Sequence, residues 1–444
     1  MQKGGESCLG LWGGGLCSNM GGMPTAQVEE GWVECHLNGI YGIMAWYDLN
    51  KDMEAWRQWR ITSACWVMDN GGIFLLKRNL GLDIVRSAAI FMVLISHCRH
   101  IFHADSQILG QGLWRLSIGG FYGVELFFVL SGFLIGRILI RNIADSRKES
   151  LAMRLKMLRI FWVRRWFRTL PLYYLILGAN VALHQYAGGI FGYFMGWQHL
   201  VFLQCYDGDA LNFFPESWSL CVEEWFYLLA PLLLIFLALA RLKIWPSLVT
   251  VIVGIMVLRT AYVMYAGADL LAWDNDIRKN IFLRLDSLGI GVAFAYIYLY
   301  RRRLFNILSG KKSLVAGGAG LMTILLLYEL YEGFLETFFA KSIMFDVVSI
   351  CWGLVLCFCF HIRMQNTWAV WFFTMVSKIS YSVYLVHLPV FVVAAAYTAQ
   401  LPNIWMRGLV CLGSYGVVMM LAYVLYRYYE QPAMQLRDRF SEKD

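Results

Sequence analysis

The sequence predicts an all-α fold, a polytopic transmembrane helix bundle of about ten spans, and three observations carry that reading. Of its 444 residues, 59% are hydrophobic and only 15% charged, a balance suited to a chain that faces lipid rather than water. The apolar residues gather into runs of about twenty, the length a helix needs to cross a hydrocarbon layer, rather than the ~10-residue alternating segments of a barrel. Lys and Arg are in excess in particular connections between those runs, as short cytoplasmic loops require.

The first 78 residues stand apart, with glycine patches such as "LWGGGLC" and "NMGGM", four of the eleven cysteines, and no helix or strand period. They lack the ordered basic start, apolar run and cleavage site of a signal peptide. They are read as a disordered tail or an upstream start ahead of a true one at Met68, with a small accessory segment as the alternative. Residues 79–430 form the membrane domain and 431–444 a cytoplasmic tail. No cysteine spacing suggests a zinc or disulfide framework.

Within the membrane domain, residues 137–168 hold ten basic groups, including Arg165 and Arg168, against the two acidic residues Asp145 and Glu149. From Thr169 to Ala240 there is no Lys or Arg, while Asp207, Asp209 and Glu216 fall in the middle. The first segment is therefore cytoplasmic and the middle of the second lies outside. Placing the later basic clusters inside gives spans near 82–101, 118–140, 168–185, 219–240, 246–266, 281–300, 313–331, 343–361, 376–398 and 405–427, with both ends of the core cytoplasmic. The apolar stretch "IFGYFMGWQHLVFLQC", residues 190–205, is read as re-entrant or interfacial, because an eleventh span would put Arg241 and Lys243 outside. The net charge of +8 calls for no nucleic-acid partner, since the cytoplasmic loop would lie against anionic membrane lipid.

Polar residues inside the spans sort into two layers. Arg86 and His97 are eleven positions apart on the first span, about three turns and roughly 16 Å of rise, so they share a face. Ionisable groups inside a membrane are costly and mark functional candidates by default; the bland reading is a snorkelling Arg and a core His. At the inner boundary Arg165 and Arg168 open the third span and, with Arg86, would suit a phosphorylated cytosolic ligand. In the outer half lie Glu125 and Ser131 on the second span and Glu223 and Glu224 on the fourth, while His387 on the ninth falls near mid-membrane. A histidine beside carboxylates is equipped to take a proton from a hydroxyl. Gly132 and Gly136 are read as a close helix-packing pair.

Six stretches in order, namely Arg86 followed by ten residues and His97, "GVELFFVLSGFLI", the Arg165 and Arg168 pair before "LPLYY", "WSLCVEEWFY", "ISYSVYLVHLP" and "YEQP", resemble the acyltransferase 3 family. The resemblance covers residues 80–432 and implies an integral-membrane enzyme passing an acyl group, commonly acetyl, from cytosolic acyl-CoA to a hydroxyl of an extracytoplasmic carbohydrate or glycolipid acceptor. It implies that His97 is the essential base or acyl carrier, that Arg86, Arg165 and Arg168 handle the CoA end, and that Glu223 carries over as a supporting carboxylate. The family usually has Asp where this chain has Glu125, which displaces that carboxylate by about one methylene. The expected form is the stand-alone one, without a hydrolase-like domain, in a bacterial inner membrane. Acyl-CoA, acetyl-CoA first, is the expected co-substrate, and no metal is expected. A proton-coupled transporter remains the runner-up, since it too would use intramembrane His and Glu, although no inverted repeat is visible. A metal centre built on His97, His100 and His103 is disfavoured because successive three-residue steps drift around the helix.

Overall fold

The computed structural model describes residues 78–102, 117–144, 150–186, 196–206, 213–398, 400–401 and 403–441, and five strand segments between residues 26 and 76. Those strands are Ala26–Glu29 (β1), Trp32–Leu37 (β2), Ile40–Ala45 (β3), Cys65–Asp69 (β4) and Gly72–Leu76 (β5). The first three form an antiparallel sheet in the order β1-β2-β3, and β4 pairs with β5. The rest of residues 1–77, and with it most of the expectation for that segment, lies outside the described residues.

Ten helices of sixteen residues or more fall, in order, on the ten expected spans. They are Leu80–His97 (α1), Ser117–Leu139 (α2), Leu151–Tyr186 (α3), Trp218–Leu239 (α4), Ile244–Ala266 (α5), Leu285–Tyr300 (α6), Lys311–Leu330 (α7), Met344–Cys359 (α8), Thr367–Thr398 (α9) and Ile404–Leu425 (α10). A helix at the C-terminal end, Gln431–Ser441 (α11), follows a π-helical turn at Tyr426–Glu430. Among the described residues seven helices are long and apolar enough to cross a membrane, while α6 and α8 are shorter apolar helices. Local chemistry sets several ends. The Asn79 side chain accepts from Leu82 N at 3.1 Å to open α1, and Asn403 accepts from Trp405 N at 2.9 Å to open α10. Gly267, at φ +84°, ends α5.

Two boundaries differ from the sequence reading. α3 begins at Leu151 rather than near 168, because the basic stretch expected as loop has neither Gly nor Pro and is rich in Leu, Met, Arg and Lys, all good helix formers. α9 begins at Thr367 rather than near 376, where Asn366 Oδ1 accepts from Ala369 N at 3.1 Å. Of the 190–205 stretch, the described part holds only two 3₁₀ turns, Trp197–Leu200 and Gln204–Tyr206, and no span.

Burial separates inner from outer helices. In their most apolar stretches α2 is 72% buried and α9 61%, whereas α5 and α7 are 17% buried and offer their surfaces to lipid. α2 and α6 are in close contact through small residues. A Cβ at Gly132 would lie 2.0 Å from the Leu288 carbonyl oxygen, and one at Gly291 would lie 2.3 Å from that of Val129. The Gly132 and Gly136 pair therefore packs helices, as its spacing suggests.

Candidate active site

His97 closes the last turn of α1 and is half-buried, while His387, in the middle of α9, is fully buried. The Nε2 of His387 lies 3.2 Å from Nδ1 of His97, and the Nδ1 of His387 lies 2.6 Å from the carbonyl oxygen of Tyr384. A carbonyl can only accept, so the His387 Nδ1 carries the proton there. The His387 Nε2 is then a lone pair, and the proton between the two rings belongs to His97 Nδ1. The lone pair of neutral His97 is thereby directed to Nε2, the atom a general base needs. Tyr384 is held in turn: its hydroxyl donates to the Glu216 carbonyl at 2.9 Å and accepts from Ser219 Oγ at 2.7 Å. The start of α4 thus fixes the element that orients His97. His100 stacks on His97 with ring centroids 6.0 Å apart, and His103 lies outside the described residues. Among the described residues no three His, Cys, Asp or Glu side chains are placed to hold a metal ion.

The carboxylates expected near His97 have other partners. Glu223 accepts from Ser131 Oγ at 2.8 Å and stands 3.6 Å from the Arg165 guanidinium. Arg165 lies 3.9 Å from the centre of the Tyr227 ring and donates to the Tyr227 hydroxyl. Glu224, next in sequence, is buried. Glu125 is fully buried and takes Arg284 Nη2 at 2.6 Å, Ser287 Oγ at 2.9 Å and Ser349 Oγ at 3.3 Å. The contacts of Glu125 and Glu223 therefore run to arginines and serines on α2, α3, α6 and α8, and the ring partner of His97 is another histidine.

The three arginines divide as well. Arg86 and Arg168 both act electrostatically on Glu430, the buried carboxylate of "YEQP", which accepts from Ser382 Oγ at 2.9 Å. Arg165, three residues before Arg168, turns instead to Glu223 and Tyr227. Arg86 on α1 and Arg168 on α3 are thus both within electrostatic reach of Glu430 in the turn that follows α10. Sequence reasoning named His387 without pairing it and gave Tyr384, Ser219 and Glu430 no role. The one available signal was the three-residue spacing of Tyr384 and His387, which sets both on neighbouring positions of one helix.

An acyltransferase domain profile matches residues 79–427. The chain is 27% identical over 331 residues to the Bacillus subtilis protein named "Putative peptidoglycan O-acetyltransferase YrhL", an alignment covering 71% of this chain and 49% of the relative. It is 28% identical over 225 residues to the peptidoglycan O-acetyltransferase OatA of Listeria monocytogenes, covering 47% of this chain and 34% of the relative. The chain thus spans a third to a half of the length of these relatives. No solved structure matches. The profile takes in α1 through α10, with every helix that carries His97, His387 and the arginine layer, and the chain belongs to the acyltransferase 3 family.

Proposed function

We propose that this protein is a membrane O-acyltransferase that moves an acyl group, acetyl first, from acyl-CoA at the basic inner face to a hydroxyl of a carbohydrate acceptor on the outer side. The observation that carries the proposal is the directed histidine pair, which leaves His97 Nε2 as an oriented base in a half-buried position. The CoA phosphates would rest near Arg86 and Arg168, and the pantetheine arm would run up the shared face of α1, whose Arg86 to His97 rise is roughly 16 Å. His97 Nε2 takes the proton of the acceptor hydroxyl as its oxygen attacks the thioester carbonyl. The tetrahedral adduct then expels the CoA thiolate, which takes that proton from the imidazolium, leaving an ester and free CoA. In a covalent variant Nε2 attacks the thioester itself and expels the CoA thiolate; the acceptor oxygen then takes the acyl group from the ring and gives its proton to that thiolate, leaving the ester, free CoA and neutral His97. Either way, the His387 Nε2 lone pair accepts from His97 Nδ1–H throughout and stabilises the charged ring. The names of the relatives make a peptidoglycan glycan the first acceptor to try. The inner membrane of a bacterium, with both ends of the core cytoplasmic, completes the reading.

The test is release of CoA from acetyl-CoA by membranes holding the protein, with peptidoglycan fragments as acceptor. The His97→Ala variant is expected to lose acceptor-dependent release by about two to four orders of magnitude, while inserting normally. Retained turnover would remove His97 from the chemistry. Acceptor flux without CoA release would replace the transferase with the transporter.

A further inference from the structure

Between α5 and α6 the chain makes a π-helical turn, Trp273–Arg278, to which the mechanism above gives no part. The turn ends on a guanidinium stacked on aromatic rings. The Arg278 Cζ lies 4.5 Å from the centre of the Trp218 ring and 5.7 Å from that of Trp273. Both rings are fixed, since Trp218 opens α4 and is buried, and Trp273, also buried, donates Nε1–H to the Ala340 carbonyl at 3.2 Å. Asp274 takes the guanidinium at Nη1, and its second oxygen takes Lys279 Nζ at 2.6 Å. Among the described residues the Arg278 Nε–H, on another edge of the fork, has no acceptor, and the side chain is 15% exposed.

This guanidinium is within electrostatic reach of the candidate base. Besides His387, the groups whose charge acts most strongly on His97 are Arg99, His100 and Arg278, all of them basic. The contacts run the same way: Ser219, the residue after Trp218, is bonded to the Tyr384 hydroxyl, and one turn along α9 from Tyr384 stands His387, against His97. A guanidinium stacked on a ring leaves its in-plane edges for hydrogen bonds, and the Nε and Nη2 edge matches the two oxygens of a carboxylate. We propose that Arg278 binds the acceptor, taking a carboxylate of the glycan on its Nε and Nη2 edge and so setting a neighbouring hydroxyl of the same molecule beside His97. The inference rests on the O-acyltransferase reading above and adds to it what the acceptor must carry, a negative charge close to the hydroxyl that is acylated. Asp274 and the two tryptophans hold the fork before the acceptor arrives, so little conformational freedom is lost when it binds.

The experiment follows CoA release from acetyl-CoA by the full-length protein in lipid nanodiscs with two acceptors, soluble peptidoglycan fragments with free carboxylates and the same fragments after methyl esterification. The wild type is expected to favour the free acid by about tenfold or more in kcat/KM, with the difference in KM. Arg278→Gln is expected to lose most of that preference through a rise in KM for the free acid, and Arg278→Lys, which keeps the charge without the fork, to retain part of it. If neither acceptor raises release by the wild type, the glycan O-acyltransferase reading falls and the subsite with it. If the wild type uses both equally well, or Arg278→Gln keeps the full preference, the transferase reading stands and Arg278 is not the acceptor's partner. Equal loss on both acceptors in Arg278→Gln would assign the side chain to packing the turn against Trp218 and would also overturn the proposal.

Discussion

Two groups of buried polar residues occupy the interior of this bundle, and they are built on opposite terms. The first is ionic and closed off from the surface. Arg259 donates to Asp286 and Asp346, and Arg284 donates to Glu125, with Ser287 and Ser349 completing the Glu125 carboxylate. Both guanidiniums lie against the Phe345 ring, at 5.3 Å and 3.8 Å. The second is neutral and open-ended: His97 and His387 in one line, finishing at the Tyr384 backbone carbonyl on one side and at a lone pair on the other, with the Tyr384 hydroxyl held separately by Ser219 and the Glu216 carbonyl. The first binds α2, α5, α6 and α8 together; the second aims one nitrogen. Ionisable groups in a membrane core are functional candidates by default, and this pair shows where that default divides. What marks the reactive group is a lone pair left over in a position a substrate can reach, since His97 is only half-buried.

The comparison breaks if the two groups respond alike to substitution. The largest effect is expected at the closed one. Arg284→Met would strand the Glu125 carboxylate, at a cost of about 3–5 kcal/mol, and is expected to lower the thermal midpoint and the yield of inserted protein whatever happens to chemistry. A variant with native stability would mean that Glu125 has no need of its cation. Next is the open group. The His387→Ala variant is expected to keep its midpoint within a few degrees and lose about ten- to a hundredfold in the rate of transfer, and His387→Gln, whose amide oxygen can accept from His97 Nδ1–H, is expected to recover part of it. Equal losses for Ala and Gln would show that His387 fills space rather than orients. The smallest effect is expected for Tyr384→Phe, which removes one hydroxyl linking α9 to the start of α4. About 1 kcal/mol of stability and a few-fold fall in rate are expected, with His97 still required. Full loss of activity would make Tyr384 a participant, and the boundary of the open group would have to be redrawn.

Much of the architecture was legible because it is written locally. Apolar runs and the placement of Lys and Arg gave all ten long helices in order, and the Gly132 and Gly136 spacing gave a helix contact. The beginning of α3 was not legible, since a charged run without Gly or Pro is as compatible with a helix in water as with a loop. The candidate site was legible by residue type and not by pairing. His97 and His387 are 290 positions apart, and Glu125 and Arg284 are 159. Nothing in either local stretch says which of several intramembrane carboxylates a given cation will meet. Glu125 and Glu223 were natural partners for a histidine on grounds of chemistry, yet arginines on other helices reach both. A sequence can nominate the polar residues of a membrane interior, and only the packing of helices decides which of them are used up.

The hydrogen-bonded line behind His97 ends at the backbone carbonyl of Tyr384, which cannot be protonated. In the proposed reaction a proton taken by His97 Nε2 therefore finds no onward carrier along this line and goes to the departing thiol. On that proposal acceptor and donor would settle the proton between themselves within one turnover, and neither face of the membrane would be called on to supply or remove one. Acyl transfer by this arrangement should run at the same rate in vesicles with and without a transmembrane proton gradient, so the modification of material outside the cell would draw its energy from the thioester alone.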